Sequence, residues 1–315
     1  MLWKFGMNST CNRRALLRYS LGSMAALALP GFTTRVLAQT AAPATVRGAV
    51  SVLDAGGTNV LVCNTGAGLV LVDSGTPAYS STLMYTLSGI GNGKVHTLFN
   101  THWHADHCGA NEVIGQSGAQ IIAHHKTWHH LATEYYLPHE SRYHKAFPPA
   151  ALPTRKISEV GTAQIGNEEI AWGPLVQAHT DADIYIHFRG ANVLAAGAAV
   201  APDSDIELDW YGGGWIGGRA DSLDILVNLA DDDTLIVPAQ GRVMSKAELV
   251  AERDLTHELY QRLNDLIRSG CSAECMVGEG ALEGLGRTWQ DPQRFLYAAY
   301  KGLWAHHYNL APDIL

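Results

Sequence analysis

The chain is short of cysteine and of positive charge. Five of its 315 residues are Cys, and 22 Lys and Arg stand against 30 Asp and Glu, for a net charge of −8 at pH 7. A surface with that acidic excess repels phosphate backbones, which argues against nucleic acid as a partner. The N-terminal apolar run, Leu21 to Leu29, is too short to span a bilayer, which takes about 20 residues. No Gly-x-Ser-x-Gly nucleophile elbow or Ser-His-Asp spacing occurs, so serine catalysis has no support. The glycine-rich stretch Trp210 to Gly218 lacks the Lys-Ser/Thr ending of a phosphate loop. No short-period repeat is visible. What the chain does have is 47% apolar residues, ample for one large domain or two small ones.

The first 38 residues differ from the rest. They carry Lys4, Arg13, Arg14, Arg18 and Arg35 and no acid. With the apolar run and the small-residue site Val36-Leu37-Ala38, this is the layout of a secretory signal. Asn12-Arg13-Arg14-Ala15-Leu16-Leu17-Arg18 resembles a bacterial twin-arginine export signal. That resemblance implies a periplasmic location, export in the folded state and no stable membrane anchor after cleavage. Removal of residues 1–38 leaves 17 basic and 30 acidic residues, a net charge of −13. Residues 39–47 read as a flexible linker.

Beyond the linker, short apolar runs separated by Gly and Asn turns predict strands. They are Val50 to Leu53, Asn59 to Cys63, Leu69 to Val72, Val95 to Phe99 and Ala119 to Ala123. A helix is expected over Ser80 to Leu87. The aromatic, His-rich stretch 126–150 reads as irregular, either a pocket wall or a structural segment. A second strand set follows: Ala163 to Ile165, Glu169 to Trp172, Leu175 to Ala178, Ile184 to Phe188 and Val193 to Ala196. Helical periodicity over Arg219 to Leu229 precedes a strand, Thr234 to Val237, and a long helix, Lys246 to Arg268. Strands followed by helix, occurring twice, suggest two sheets packed face to face with helices outside. Cys63 reads as core. Cys271 and Cys275 are either joined by a disulfide or two free thiols.

The most informative feature is Thr101-His102-Trp103-His104-Ala105-Asp106-His107. Three histidines and an aspartate fall within six positions, after a predicted strand. Imidazole and carboxylate are good zinc ligands, and a loop at a strand end can aim several of them at one point. Cys108 follows directly, as a ligand or a packed thiol.

Together these features resemble the metallo-β-lactamase-fold hydrolases over residues 48–250. Asp73, at the end of an early strand, suits the first motif of that family. His102, His104, Asp106 and His107 suit the second, and His179 the third. The resemblance implies a four-layer αββα sandwich with residues 251–315 as a C-terminal helical segment packed on it. It also implies zinc and a small-molecule substrate. His102, His104 and His179 would hold one metal, and Asp106 and His107 a second, with a bridging Asp and a last His. Those last two are missing: Ala198 and Gln240 stand in their places. Alanine cannot coordinate, and a Gln amide oxygen is a poor substitute for imidazole.

One tightly bound zinc is therefore expected, with the second position weak or absent. Three His plus a water is the open, catalytic type of zinc site, able to supply hydroxide near neutral pH. Asp106 is then free to orient or deprotonate that water. Asp73 either fixes a His ring or the motif loop from outside the metal shell, or simply caps its strand. Asp181, Asp183, Asp203 and Asp205 are candidate replacement ligands or turn-capping carboxylates. His124, His125, His129, His130 and His144 are further candidate ligands. Trp210 and Trp215 are candidate pocket walls. The expected function is zinc-dependent hydrolysis of an ester, lactone, thioester or amide-like bond. The alternative is a catalytically impaired binding or accessory protein on the same fold.

Overall fold

The structure is a computed structural model that describes residues 42–137 and 141–309. The expected export signal, residues 1–38, lies outside the described residues.

The first sheet contains β1 (Ala44–Arg47), β2 (Val50–Asp54), β3 (Asn59–Asn64), β4 (Leu69–Val72), β5 (Val95–Phe99), β6 (Gln120–His124) and β9 (Arg155–Ile157). Their order is β1-β2-β3-β4-β5-β6-β9, an antiparallel meander that turns parallel from β4 onward. The second sheet runs β10 (Gly161–Ile165), β11 (Glu168–Pro174), β12 (Ile184–Phe188), β13 (Val193–Gly197) and β14 (Leu235–Pro238). Its only parallel pair is β13 with β14. Every residue of β4, β12 and β13 is buried, as expected for strands covered on both faces.

Three apolar layers account for that burial. Val70, Val72 and Phe99 of the first sheet meet Trp172, Ile186 and Phe188 of the second between the sheets. The helices α1 (Ser80–Ser88) and α2 (Asn111–Gln116) cover the outer face of the first sheet through Leu83, Leu87 and Ile114. The helix α4 (Ile216–Leu229) covers the second through Leu223 and Leu226. The αββα layering expected from the sequence is therefore present. Residues 206–216 and the helices α5 (Lys246–Arg268), α6 (Ala273–Gly278) and α7 (Pro292–Asn309) build a further core of their own.

Local expectations needed correction in five places. The linker 39–47 contains β1, paired with β2, because its Thr45 to Arg47 stretch finds an open strand edge. Leu175 to Ala178 is not a strand. Gln177 takes φ +54 there, and the chain turns away to present His179. The stretch 126–150 is not irregular throughout: α3 (His125–Ala132) is followed by a hairpin, β7 (Tyr135–Leu137) and β8 (Arg142–His144). The short helix α2 and strand β9 had no distinct periodicity and were not anticipated. Finally, the expected division at 250/251 falls inside α5, which a Ser245/Glu248 capping box starts and which runs unbroken to Arg268. Cys271 and Cys275 form a disulfide across the start of α6, while Cys63 and Cys108 are free and buried. Burial pushes the Cys63 thiol up to about 12.

The C-terminal segment is joined to the sandwich by a buried ion cluster. Arg219 of α4, fully buried, pairs with Glu252 of α5 and contacts Thr256. Arg287 binds the same Glu252 carboxylate at 3.0 Å and also reaches the carbonyls of Ala201 and Ser204. Removing one partner of a buried pair strands the other charge. Glu252→Ala, which strands two guanidiniums, is expected to lower unfolding free energy by about 3–5 kcal/mol. Urea unfolding followed by circular dichroism reads this, and a change below 1 kcal/mol would contradict it.

Candidate metal centre

Parallel strands gather the site at their C-terminal ends. Asp73 follows β4, the His-rich loop follows β5, Ala198 follows β13 and Gln240 follows β14. His179 lies on the loop between β11 and β12. Gly197, at φ +57, lets the end of β13 approach the loop. A Cβ there would sit 3.1 Å from that of Thr101.

Asp73 organises the loop. It sits at φ +62, an uncommon conformation for a residue with a side chain. Its Oδ1 accepts the Thr101 amide at 2.7 Å, and its Oδ2 accepts the Thr101 hydroxyl and His107 Nδ1, each at 2.8 Å. This hydrogen-bond set decides which ring nitrogens are free. The Thr101 hydroxyl donates to Asp73, so its oxygen accepts from His102 Nδ1 at 3.0 Å. His102 Nε2 is left as a lone pair. It is buried and has no hydrogen-bond partner.

The other two rings are set in the same way. His179 Nδ1 donates to the carbonyl of Glu207 at 3.0 Å, which leaves Nε2 as a lone pair. His104 Nε2 donates to Asp209 Oδ2 at 3.0 Å, which leaves Nδ1 as a lone pair. These two lone pairs face each other at 3.2 Å. The ligand atoms of His102, His104 and His179 all lie within 4.8 Å of one another. Converging lone pairs with no proton between them are what a cation relieves. The donor set, three imidazoles fixed by outer partners, suits zinc. Burial, then the neighbouring His107, His104 and His179, holds the His102 imidazole well below its ordinary range. Burial, then His104, lowers His179 as well. Both shifts favour the neutral ring, the form a ligand needs.

Asp106 and His107 are brought beside the triad, but differently. His107 is buried. Burial alone would lower its pKa, yet the charge and hydrogen bond of Asp73, with Asp106 beyond, raise it. Its Nε2 lies 3.5 Å from Asp106 Oδ2, and Thr58 Oγ1 stands 3.5 Å from the same oxygen. Asp106 is loosely held, with its side chain 38% exposed to the cavity. Ala198 and Gln240 line that cavity with the histidines.

The other candidates have different places. Asp183 accepts the amides of His179 and Thr180 and braces the loop. Asp181 pairs with His130 and Lys126, and Asp203 with Arg242. Asp205 accepts the amides of Gln290 and Asp291. Cys108 donates to the carbonyl of His102, and burial raises its thiol well above the ordinary value, so it packs as a neutral group. His130 stacks on Trp103, and His144 lines the cavity wall. His124, His125 and His129 form a ring cluster on and after β6. Trp210 lines the cavity, whereas Trp215 stacks on His306 within the C-terminal core.

A family model described as the metallo-β-lactamase superfamily matches residues 53–241. The chain belongs to the metallo-β-lactamase superfamily. A metallo-β-lactamase type 2 of Bacillus cereus is 24% identical over 198 residues, 62% of this chain and 72% of that protein. Among solved structures, a metallo-β-lactamase from Pontibacter korlensis superposes with a TM-score of 0.55 at 16% identity. That match covers 68% of this chain and 98% of the other. A stereoselective inverting sec-alkylsulfatase from Pseudomonas sp. superposes with a TM-score of 0.61 at 14% identity, over 85% of this chain and 50% of that one. These structural likenesses speak to the fold alone, which here carries a histidine triad able to hold a metal.

Asp209 is the site residue that sequence reasoning missed. It lies one position before the Gly-rich stretch that had been noted, but 105 residues from its partner His104. Against burial, which would raise it, the hydrogen bonds from His104 and from the Gly212 amide bring its carboxyl below the usual range. Outer partners of metal-binding histidines are worth about 10–100-fold in affinity. Asp209→Ala is therefore expected to weaken zinc binding by about that factor. Competition with a chromophoric chelator measures it, and an unchanged affinity would remove Asp209 from the centre.

Proposed function

We propose that the protein is a metal-dependent hydrolase with one tightly held zinc on His102, His104 and His179. The observation that carries this reading is the convergence of ring nitrogens of three histidines, one of them the buried and otherwise unpartnered His102 Nε2. Zinc there supplies a Lewis acid for a carbonyl or similar oxygen and activates a water near neutral pH. Asp106 faces the cavity, restrained by His107 and Thr58, where it would accept a proton from a water once the metal is bound. Asp73, Glu207 and Asp209 keep the three rings in their ligand tautomers. The substrate class is an ester, lactone, thioester or amide-like bond in a small molecule.

Ala198 and Gln240 support a weak or absent second metal, since neither supplies the anionic or imidazole ligand that a site built on Asp106 and His107 lacks. The arginine-rich leader, as read from its sequence, supports periplasmic export by the twin-arginine route. Among the described residues no helix is long and apolar enough to cross a membrane. The second reading, a catalytically impaired binding protein on the same fold, draws on the same Ala198 and Gln240. Elemental analysis of the purified protein with a panel of ester, lactone and lactam substrates separates the two. About one zinc per chain and chelator-sensitive hydrolysis are expected. A metal-free protein without turnover would defeat the hydrolase reading.

A further inference from the structure

We propose that the cavity over the triad selects substrates that carry no negative charge, and that an organic ammonium group is preferred. The inference rests on the hydrolase reading and names the charge class of its substrate. The cavity has a volume of about 950 Å³, which suits a drug-sized ligand. Its reactive end is marked by the buried, unpartnered His102 Nε2.

The rest of the wall is acidic. Asp106, Asp205, Glu207, Asp209 and Asp291 line the cavity, and Arg294 is the one Lys or Arg among the described lining residues. Arg294 already pairs with Glu207 at 3.2 Å. Asp205 accepts the backbone amides of Gln290 and Asp291, while Asp209 accepts His104 Nε2 and the Gly212 amide. Against those five carboxylates, a divalent cation on the triad and one guanidinium supply three positive charges, which leaves two negative charges in excess. Lys301 lies over the Trp210 and Tyr297 rings, 5.7 and 5.4 Å from their centroids, and does not line the cavity.

The remaining surface is apolar and aromatic. Trp103, Trp210, Phe295 and Tyr297 contribute to it, together with Ala198. Aromatic faces flanked by carboxylates attract organic cations. A sulfate or phosphate ester would bring a further negative charge into a cavity lined by these carboxylates, whose Arg294 is already paired. Each such encounter at about 7 Å, in a medium between protein and water, costs about 5- to 10-fold in binding. The likeness to the alkylsulfatase is therefore one of fold and does not extend to an anionic substrate.

Titration calorimetry on the zinc-loaded full chain at low ionic strength tests this with two probes of similar size, phenyltrimethylammonium and benzenesulfonate. The cation is expected to bind at least about 10-fold more tightly, with the gap shrinking as salt is added. Glu207→Lys is expected to cut the preference by about 10-fold or more. Sulfonate binding as tight as that of the cation, or no measurable cation binding, overturns the proposal. A second arm uses acetyl thioesters of three thiols alike except in charge: trimethylammonioethanethiol, 3,3-dimethylbutanethiol and mercaptoethanesulfonate. The expected order of kcat/KM is cation, neutral, anion. Failure of all three to turn over, with ammonium binding intact, counts against the hydrolase reading alone. Preferential turnover of the sulfonate counts against the charge selection alone.

Discussion

His104→Ala is expected to lose both zinc and hydrolysis. The loss of affinity should exceed the roughly 100-fold of an outer-partner change, because a coordinating atom itself is removed. After dialysis the variant should hold well under a tenth of the parental zinc, and its activity should fall to the metal-free background. His104 has two duties, since Nδ1 faces His179 while Nε2 satisfies Asp209. Alanine therefore also leaves a buried carboxylate short of its donor. A parallel His102→Gln variant separates these effects. Its Nε2 has no protein partner, so the change removes a ligand without stranding a charge. Both variants should keep cooperative unfolding by circular dichroism. If either retains zinc with parental affinity, the triad is not the metal centre.

Ala198→Asp combined with Gln240→His is expected to raise zinc from about one to about two per chain. The double change supplies the anion and the imidazole that the position beside Asp106 and His107 lacks. Ala198 lies directly after Gly197, whose conformation brings the end of β13 against Thr101, and Gln240 follows β14, the parallel neighbour of β13. Both new side chains therefore start from the cavity wall that already contains Asp106 and His107. His107 must give up a proton to ligate, and Asp73 and Asp106 favour its protonated form. The gain in second-site affinity should consequently be larger at pH 8 than at pH 6. Each ligand is worth at least about 10–100-fold, so the double variant should gain more than either single one. A stoichiometry that stays at one would show that residues other than Ala198 and Gln240 keep the second position weak. Two tight zincs in the parent protein would show that Ala198 and Gln240 do not weaken the second position.

Much of this centre was legible before any coordinates. The candidate ligands His102, His104 and His179, with Asp106, His107 and Asp73, follow or flank strands whose apolar runs are local and regular. The long helix α5 was equally plain, because capping residues and the 3.6-residue period act within a single turn or two. Gln177 shows the limit. An apolar run of four residues predicts a strand as readily as the turn that actually carries His179.

The chain by itself thus supplied the candidate donor residues, the sandwich that gathers them, and the alanine and glutamine that stand at positions 198 and 240. Tertiary structure decided which nitrogen of each ring is free. Thr101 is adjacent to His102, but the Glu207 carbonyl is 28 residues from His179, and Asp209 is 105 residues from His104. It also decided the charge of the cavity, whose far wall comes from Gln290, Asp291 and Arg294, nearly 200 residues beyond the histidine run. Coordination chemistry is written in residue type and short spacing. A proton's position and a pocket's potential depend on distances through space, which only the packed chain fixes.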